Sequence, residues 1–518
     1  MTHYFTTDPI AYHANISPDR PATIDLASGR QRSYGDMHRR VGRIAALLQS
    51  RGVMAGDRVG YLAMNSSDIL DIIYACWRIG AIGVAFNYRL DTVSLAAIAG
   101  QADPKLLFLD AAFAYLEPEL SGACSDAECI EFDGMGDHTD FEALIADQNP
   151  VLTRVEQLLD APAMLLFTSG STGIPKGVII THSMILCAVM NGAGVARSSQ
   201  DSSALVVTPL SHVGTLCSIC FPAFSIGAKL IIQRAFDAGE TLSAIDDPEL
   251  DVNYLSATPA LYKALSEHRN CADTDFSRIE TAISGGEKLP QQQLQWWIDR
   301  GLTIQEGYAM TEAASSATLI GIDEVESRAG SVGKPLHYVT MRIAGSGGQD
   351  VRPHETGEIW LKGPMITSGY WQNPQENDHK FIDDWYRTGD MGHCDESGFL
   401  YIDGRKDDAF VVEGEHILPA QVEAVIRELR AVKDVAVTVV PDGEHGSQVC
   451  AIVVLDGSHP LELDELVSYC STRLPRRKCP KHLVFVDALP RSSGGKIDRA
   501  LLGELLPERI LHISHPAT

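Results

Sequence analysis

Phe167-Thr-Ser-Gly-Ser-Thr-Gly-Ile-Pro-Lys-Gly177 comes directly after the apolar run Ala163-Met-Leu-Leu-Phe167, and it packs three glycines, four hydroxyls and one lysine into one short stretch. An apolar run of this length, bounded by turn residues, reads as a buried strand. The residues after it read as a loop able to wrap phosphate. Gly170 and Gly173 let the backbone approach and aim its N–H groups, Thr168, Ser169, Ser171 and Thr172 add donors, and Lys176 adds a point charge. It is not a Walker A loop, because Pro175 precedes the lysine and Gly177 stands where a Ser or Thr would meet Mg²⁺. A flexible surface linker is the alternative, but linkers seldom insert Pro-Lys-Gly straight after a strand.

Outward from this strand and loop the pattern alternates. Val41, Ile44, Leu47 and Leu48 mark a helix, Val59-Gly-Tyr-Leu-Ala-Met64 a strand, and Ile69 to Trp77 another helix. Further short apolar runs at Lys105-Leu-Leu-Phe-Leu109, Ala204-Leu-Val-Val207 and Lys229-Leu-Ile-Ile232 are expected to be buried, largely parallel strands. After Gly404-Arg-Lys-Asp-Asp408 the texture shifts. A helix with Val422, Val425, Ile426 and Leu429 on one face is followed by strands at Val435 to Val440 and Val449 to Leu455, a helix at Leu463 to Leu474, and a strand at Leu483 to Val486. The expected fold class is α/β, with a large multi-sheet N-terminal domain over residues 1–406 and a small mobile α+β domain over 407–518. A chain of 518 residues is long enough to need more than one core.

Lys plus Arg number 42 against 68 Asp plus Glu, a formal net charge of -26, which disfavours nucleic acid and anionic lipid as partners. A local cationic loop can still hold a nucleotide. The N-terminus lacks a basic stretch followed by an apolar one, and the run from Ile69 to Phe86 is broken by Asp71 and Arg78, so neither a signal peptide nor a membrane span is expected. Of the 11 cysteines only Cys217-Ser-Ile-Cys220 has CxxC spacing; lying in an apolar run without a second ligand pair, these two read as small buried residues. Reduced thiols and a cytoplasmic location are expected.

Further motifs follow in order: Pro209-Leu-Ser-His-Val-Gly214, Ser284-Gly-Gly-Glu287, Tyr308-Ala-Met-Thr-Glu312, Thr388-Gly-Asp390, Gly404-Arg405 and Leu489-Pro-Arg-Ser-Ser-Gly-Gly-Lys-Ile-Asp-Arg499. Singly, each has a plainer reading as a turn, a structural histidine or a solvated tail. With the Thr168 to Gly177 loop they form an ordered series across nearly the whole chain, and that series resembles the adenylate-forming superfamily of acyl-CoA synthetases, luciferases and peptide-synthetase adenylation domains.

The resemblance implies the following roles. Thr168, Ser169, Gly170, Ser171, Thr172, Gly173 and Lys176 hold the phosphates of ATP. Gly286, Glu287 and Tyr308 flank adenine, Tyr308 by stacking, while Thr311 meets phosphate and Glu312 helps hold Mg²⁺. Asp390 and Arg405 hold ribose. His212 stands beside the reacting carboxylate, and the acyl pocket is formed by His212, Val213, Ser284, Gly285, Gly307, Ala309 and Met310. Lys496 is the adenylation lysine, Asp407 the hinge, and Gly414 reaches the coenzyme A tunnel. The chain departs from the family at Ala309, where glycine is usual; the added methyl either narrows the pocket or is simply tolerated.

The expected activity is that of an AMP-forming acyl-CoA synthetase, an acid–thiol ligase using ATP, Mg²⁺ and coenzyme A, with a medium-chain or aryl acid favoured. The expected partners are therefore a small-molecule carboxylic acid, ATP and CoA; a homodimer is left open. A stand-alone adenylation enzyme loading a carrier protein is the main alternative. Luciferase-like oxidation, and a nucleotide-binding regulator that has lost catalysis, are the others.

Overall fold

The computed structural model describes residues 6–135, 140–169, 175–195, 198–412, 415–442, 446–457, 459–491 and 497–506. The chain divides into two compact units, Met1–Met341 with Leu361–Tyr386, and Arg342–Trp360 with Arg387–Thr518. The change of texture at Asp407 thus falls inside the second unit, which also takes in residues 342–360 and 387–406.

In the first unit the strands are β1 (Pro21–Asp25), β2 (Gln31–Ser33), β3 (Arg58–Leu62), β4 (Ile82–Phe86), β5 (Leu106–Asp110), β6 (Glu128–Phe132), β7 (Pro162–Ser169), β8 (Pro175–Thr181), β9 (Ser203–Val206), β10 (Lys229–Ile232), β11 (Tyr254–Ala257), β12 (Thr281–Ser284), β13 (Ile304–Met310), β14 (Ser315–Leu319) and β15 (Lys334–Pro335). Six of them make one sheet in the order β6-β5-β3-β4-β7-β8, and nine make another, β15-β14-β13-β12-β11-β9-β10-β1-β2. Pairing is parallel from β6 through β7, and β8 runs antiparallel to β7. Strands β4 and β5 are buried at every position, as expected where helices cover both faces.

Helix Tyr34–Ser50 begins with a capping box, Ser33 accepting from the Asp36 N–H while Asp36 accepts from Ser33, and it buries Met37, Val41, Ile44, Leu47 and Leu48. Each such side chain contributes about 1.5–3 kcal/mol when fully buried. Helix Ser67–Ile79 is buried along its whole length. The charges that break its apolar run are ion-paired: Asp71 Oδ2 with Arg32 at 2.9 Å and Arg40 at 3.1 Å, and Arg78 with Asp8 at 2.8 Å. Among the described residues no helix is long and apolar enough to cross a membrane.

Strand β18 (Phe381–Ile382) pairs with the start of β19 (Trp385–Cys394). In the second unit β19 continues antiparallel to β20 (Leu400–Arg405), in a sheet that also holds β16 (Thr340–Ala344) and β17 (Gly357–Lys362). After the ribbon of β21 (Phe410–Val412) and β22 (Glu415–Ile417), a three-stranded sheet is formed by β23 (Val432–Asp442), β24 (Gly446–Leu455) and β25 (His482–Phe485). Its two faces follow the strand period of two. Val435, Val437, Val449, Ala451 and Val453 join helices Pro419–Ile426 and Leu463–Ser471 in one core, while Ala436, Cys450, Ile452 and Val454 pack with Leu502 in another.

Candidate active site

The two ends of the expected phosphate loop belong to paired antiparallel strands. Strands β7 and β8 pair Phe167 with Gly177, Thr168 with Lys176 and Ser169 with Pro175, while Gly170, Ser171, Thr172 and Gly173 lie outside the described residues. Lys176 therefore stands on a strand and not in the loop where its spacing suggested. The cause is the antiparallel partner, which single-sequence periodicity does not reveal. At Gly177 a Cβ would crowd the Phe167 ring at 3.0 Å. The Lys176 ammonium, largely buried, pairs with Glu376 Oε1 at 2.8 Å. Glu376 lies in the first turn of helix Pro374–Lys380, whose Asn373 cap accepts from the Glu376 N–H.

The segment between Thr367 and Trp371 joins this strand pair to Glu312. The Ile179 N–H donates to Gly369 O and the Trp371 N–H to Gly177 O, so the segment runs along β8. Thr367 Oγ1 donates to Ile179 O at 2.7 Å, and its N–H donates to Glu312 O at 2.8 Å. Tyr370 from the same segment donates its hydroxyl to Glu312 Oε1 at 2.7 Å, and the Tyr386 hydroxyl lies 2.9 Å from that of Tyr370. Burial, then the Glu312 charge, pushes the Tyr370 hydroxyl far above its usual range, and the same two causes act on Tyr386. Both stay protonated and serve as donors. Neither tyrosine was singled out by its local sequence; their partner is 58 residues away from Tyr370.

Thr311 and Glu312 follow β13 in a short 3₁₀ turn that ends at Ala314, φ 47°. Gly307, Tyr308, Ala309 and Met310 are the last residues of β13, which pairs antiparallel with β14 and shifts register between Tyr308 and Ala309. Tyr308 is buried, its hydroxyl 3.8 Å from Met310 Sδ. At Gly307 a Cβ would meet Thr318 O at 2.9 Å. Strand β12 pairs in parallel with β13, Ser284 opposite Glu306, so Ser284 and Gly285 end up beside Gly307, whose carbonyl a Cβ on Gly285 would meet at 3.8 Å. Ser284 Oγ is buried without a hydrogen-bond partner. Gly286 has φ +89°, and Glu287 is exposed on the same turn. Burial raises the Glu306 carboxyl, which accepts from the Leu289 N–H at 2.9 Å.

His212 caps the short helix Val213–Thr215, its Nδ1 accepting from the Gly214 N–H at 3.1 Å. A ring nitrogen that accepts carries no proton, so Nε2 holds the hydrogen and can donate. Further along the same helical path, Cys217 and Ser218 line a cavity together with Ile283, Ser316 and Leu319, and with Ala188, Asn191 and Gly192 of helix His182–Val195. Cys217 and Cys220 are buried small side chains, 1 % and 0 % exposed. Among the described residues no group of three or more His, Cys, Asp or Glu could hold a metal. His212, Val213, Ser284, Gly285, Gly307, Ala309 and Met310 do not line this cavity themselves. Two of them neighbour lining residues: Ser284 follows Ile283, and Ala309 pairs with Ser316. Asn191 was not singled out, although an amide directly after the apolar run Met184-Ile-Leu-Cys-Ala-Val-Met190 is itself a signal.

In the second unit Asp390 and Arg405 face each other across β19 and β20, Arg405 Nε to Asp390 Oδ1 at 3.3 Å. The Asp390 N–H donates to Thr388 Oγ1, which donates to Ile359 O, so the turn fixes the Asp390 backbone. Asp407 is exposed, in the turn after β20 where the Ala409 N–H donates to Lys406 O. Gly414 and Lys496 lie outside the described residues; Arg491 and Ile497, flanking the latter, form an antiparallel bridge.

Residues 10–371 match the model of the AMP-binding enzyme family and residues 421–496 that of the AMP-binding enzyme C-terminal domain. The chain belongs to the AMP-binding enzyme family. It is 34% identical over 486 residues to a feruloyl-CoA synthase of Amycolatopsis, covering 93% of this chain and 95% of that one. With an indoleacetate–CoA ligase of Aromatoleum aromaticum it shares 30% over 499 residues, 96% and 97% of the two chains. The structure is similar to that of o-succinylbenzoate CoA synthetase from Bacillus subtilis in complex with its acyl-adenylate intermediate, with TM-score 0.86 and 27% identity over 96% of this chain and 98% of that one. The same enzyme with ATP and magnesium ion gives TM-score 0.86, at 27% identity over 96% and 100% of the two chains.

Proposed function

We propose that this chain is an AMP-forming acyl-CoA synthetase acting on an aryl carboxylic acid. The observation that carries the reading is the Glu312 carboxylate, buried, fixed by Tyr370 and tied through Thr367 to the strand pair that bears Lys176. The cavity beside it is mostly apolar, which suits an uncharged acyl group. The relatives named for feruloyl and indoleacetate thioesters favour a ring.

A carboxylate does not acylate a thiol directly, because its carbonyl is shielded by negative charge and oxide is a poor leaving group. In the first step an oxygen of the acid bonds to the α-phosphorus of ATP while the bond to pyrophosphate breaks. In the second the sulfur of CoA bonds to the acyl carbon, AMP departs and the thiol proton passes to solvent. The first barrier is chiefly one anion approaching another, so positioning and charge are what the protein supplies. Lys176 and Lys496 offset charge on the phosphates, the stretch from Thr168 to Gly173 donates to their oxygens, and Thr311 meets phosphate. Tyr308, Gly286 and Glu287 flank adenine, and Asp390 with Arg405 holds the ribose. The His212 Nε2–H orients the acid.

Glu312 suits Mg²⁺: it is a hard oxygen ligand with one oxygen already oriented by Tyr370, and since no group of three or more ligands occurs among the described residues, an ion would take most of its shell from ATP and water. Bound there, Mg²⁺ offsets the charge of the phosphates. For the second step a lysine over the α-phosphate has to withdraw. A domain from 407 to 518 turning about Asp407, with Gly414 moving to the thiol's path, accomplishes this.

The reading is tested by pyrophosphate release from ATP with aryl and medium-chain acids, followed by thioester formation with CoA or with a carrier protein as acceptor. Acid-dependent release and a CoA thioester are expected. Loading of carrier protein without any CoA thioester would favour the stand-alone adenylation enzyme.

A further inference from the structure

The cavity beside β14 holds one polar group that the protein leaves unanswered. Helix His182–Val195 turns Asn191 inward, 4 % exposed, with its Nδ2 against the Met365 thioether. Its Oδ1 is buried and has no hydrogen-bond partner. A thioether has no proton to give and accepts weakly. The N–H end of the amide therefore belongs against Met365, and turning the amide over would only set its oxygen against sulfur. The hydroxyls that line the cavity are answered. Ser218 Oγ donates to Ser315 Oγ at 2.7 Å, and the Tyr254 hydroxyl donates to Ser218 O at 3.2 Å. A buried acceptor without a donor is rare in a folded protein and asks for one from a guest.

Cys217 and Ser218 stand about 8 Å along the helical path from His212, at about 1.5 Å per residue. With His212 at the carboxylate, the cavity receives the far end of the acid. We propose that the acid carries a hydrogen-bond donor, a phenolic O–H or a ring N–H, at the end remote from its carboxylate, and that Asn191 Oδ1 accepts from it. This rests on the aryl-CoA synthetase reading and names the substrate within it. An acid without the donor leaves the amide oxygen stranded, so selection is against the unsubstituted ring more than for the hydroxyl.

The test compares 4-hydroxycinnamic acid, 4-methoxycinnamic acid and cinnamic acid, by kcat/KM for pyrophosphate release with the full chain, ATP, Mg²⁺ and CoA. The methyl ether keeps an acceptor and loses the donor. The hydroxy acid is expected to exceed both others by about ten- to hundredfold. Asn191→Leu is expected to bring the ratio of hydroxy to unsubstituted acid within about threefold, and Asn191→Ala, which removes the same oxygen with less bulk, serves where the leucine does not fold. Equal wild-type values for hydroxycinnamic and cinnamic acid would overturn the donor proposal while leaving the aryl reading intact. A full ratio kept by both variants would overturn it too, since the donor would be read elsewhere. No release with any of the three would overturn the aryl reading and this proposal with it.

Discussion

Tyr370→Phe removes one oxygen from a chain of three groups. The Tyr370 hydroxyl donates to Glu312 Oε1 at 2.7 Å, and a hydroxyl has a single proton, so Tyr386, 2.9 Å away, has to donate to Tyr370. Glu312 is 8 % exposed, which leaves little room for water to replace the lost donor. A hydrogen bond to a charged group is worth about 1.5–3 kcal/mol. If Glu312 needs this support to meet metal and phosphate, the loss becomes about ten- to 150-fold in kcat/KM. The same change strands the Tyr386 proton and is expected to lower stability by about 1–3 kcal/mol. The assay is pyrophosphate release titrated with Mg²⁺ at fixed ATP, beside a urea unfolding curve. The half-saturating Mg²⁺ concentration is expected to rise. A folded variant whose kcat/KM and Mg²⁺ titration coincide with those of the wild type would refute the orienting role.

Lys496→Ala is expected to abolish pyrophosphate release while sparing thioester formation from supplied acyl-adenylate; equal loss in both half-reactions would contradict its role. Asp407→Pro, by fixing φ in the turn after β20, is expected to leave adenylation largely intact and to damage the thioester step, and undiminished overall turnover would count against a hinge there. His182 gives a pH signature. Burial and the Arg154 guanidinium, 3.4 Å from its Nε2, push the imidazole down to about 3. The native state thus binds fewer protons than the unfolded chain, whose histidines titrate near about 6.5, so this contribution is complete above that pH and is lost as the pH falls towards 3, with a slope of up to about 1.4 kcal/mol per pH unit. His182→Gln should flatten that limb in urea midpoints measured between about pH 4 and 7, and an unchanged difference between wild type and variant across the range would exclude the histidine as its source.

The elements were legible where a short window carries the information. The runs at Leu106–Asp110, Lys229–Ile232 and Pro162–Ser169 are strands, and the apolar spacing of Val41, Ile44, Leu47 and Leu48 is the buried face of Tyr34–Ser50. Hydrophobic period is a local property, and both helix and strand impose it on nearby residues. The order of the chemical motifs, from Thr168 to Lys496, was likewise visible along the chain, and family membership follows from it.

What only the tertiary structure decided is which distant groups complete each motif. Lys176 is on a strand because β8 folds back on β7, and its charge meets Glu376, 200 positions on. Glu312 owes its orientation to Tyr370 and Tyr386, and Asn191 meets Met365 beside the cavity that both line, although 174 positions separate them. These pairings arise where sheets and helices pack. A buried amide, carboxylate or ammonium has to find its partner wherever the fold brings one within hydrogen-bond reach, and no short stretch of sequence records that distance.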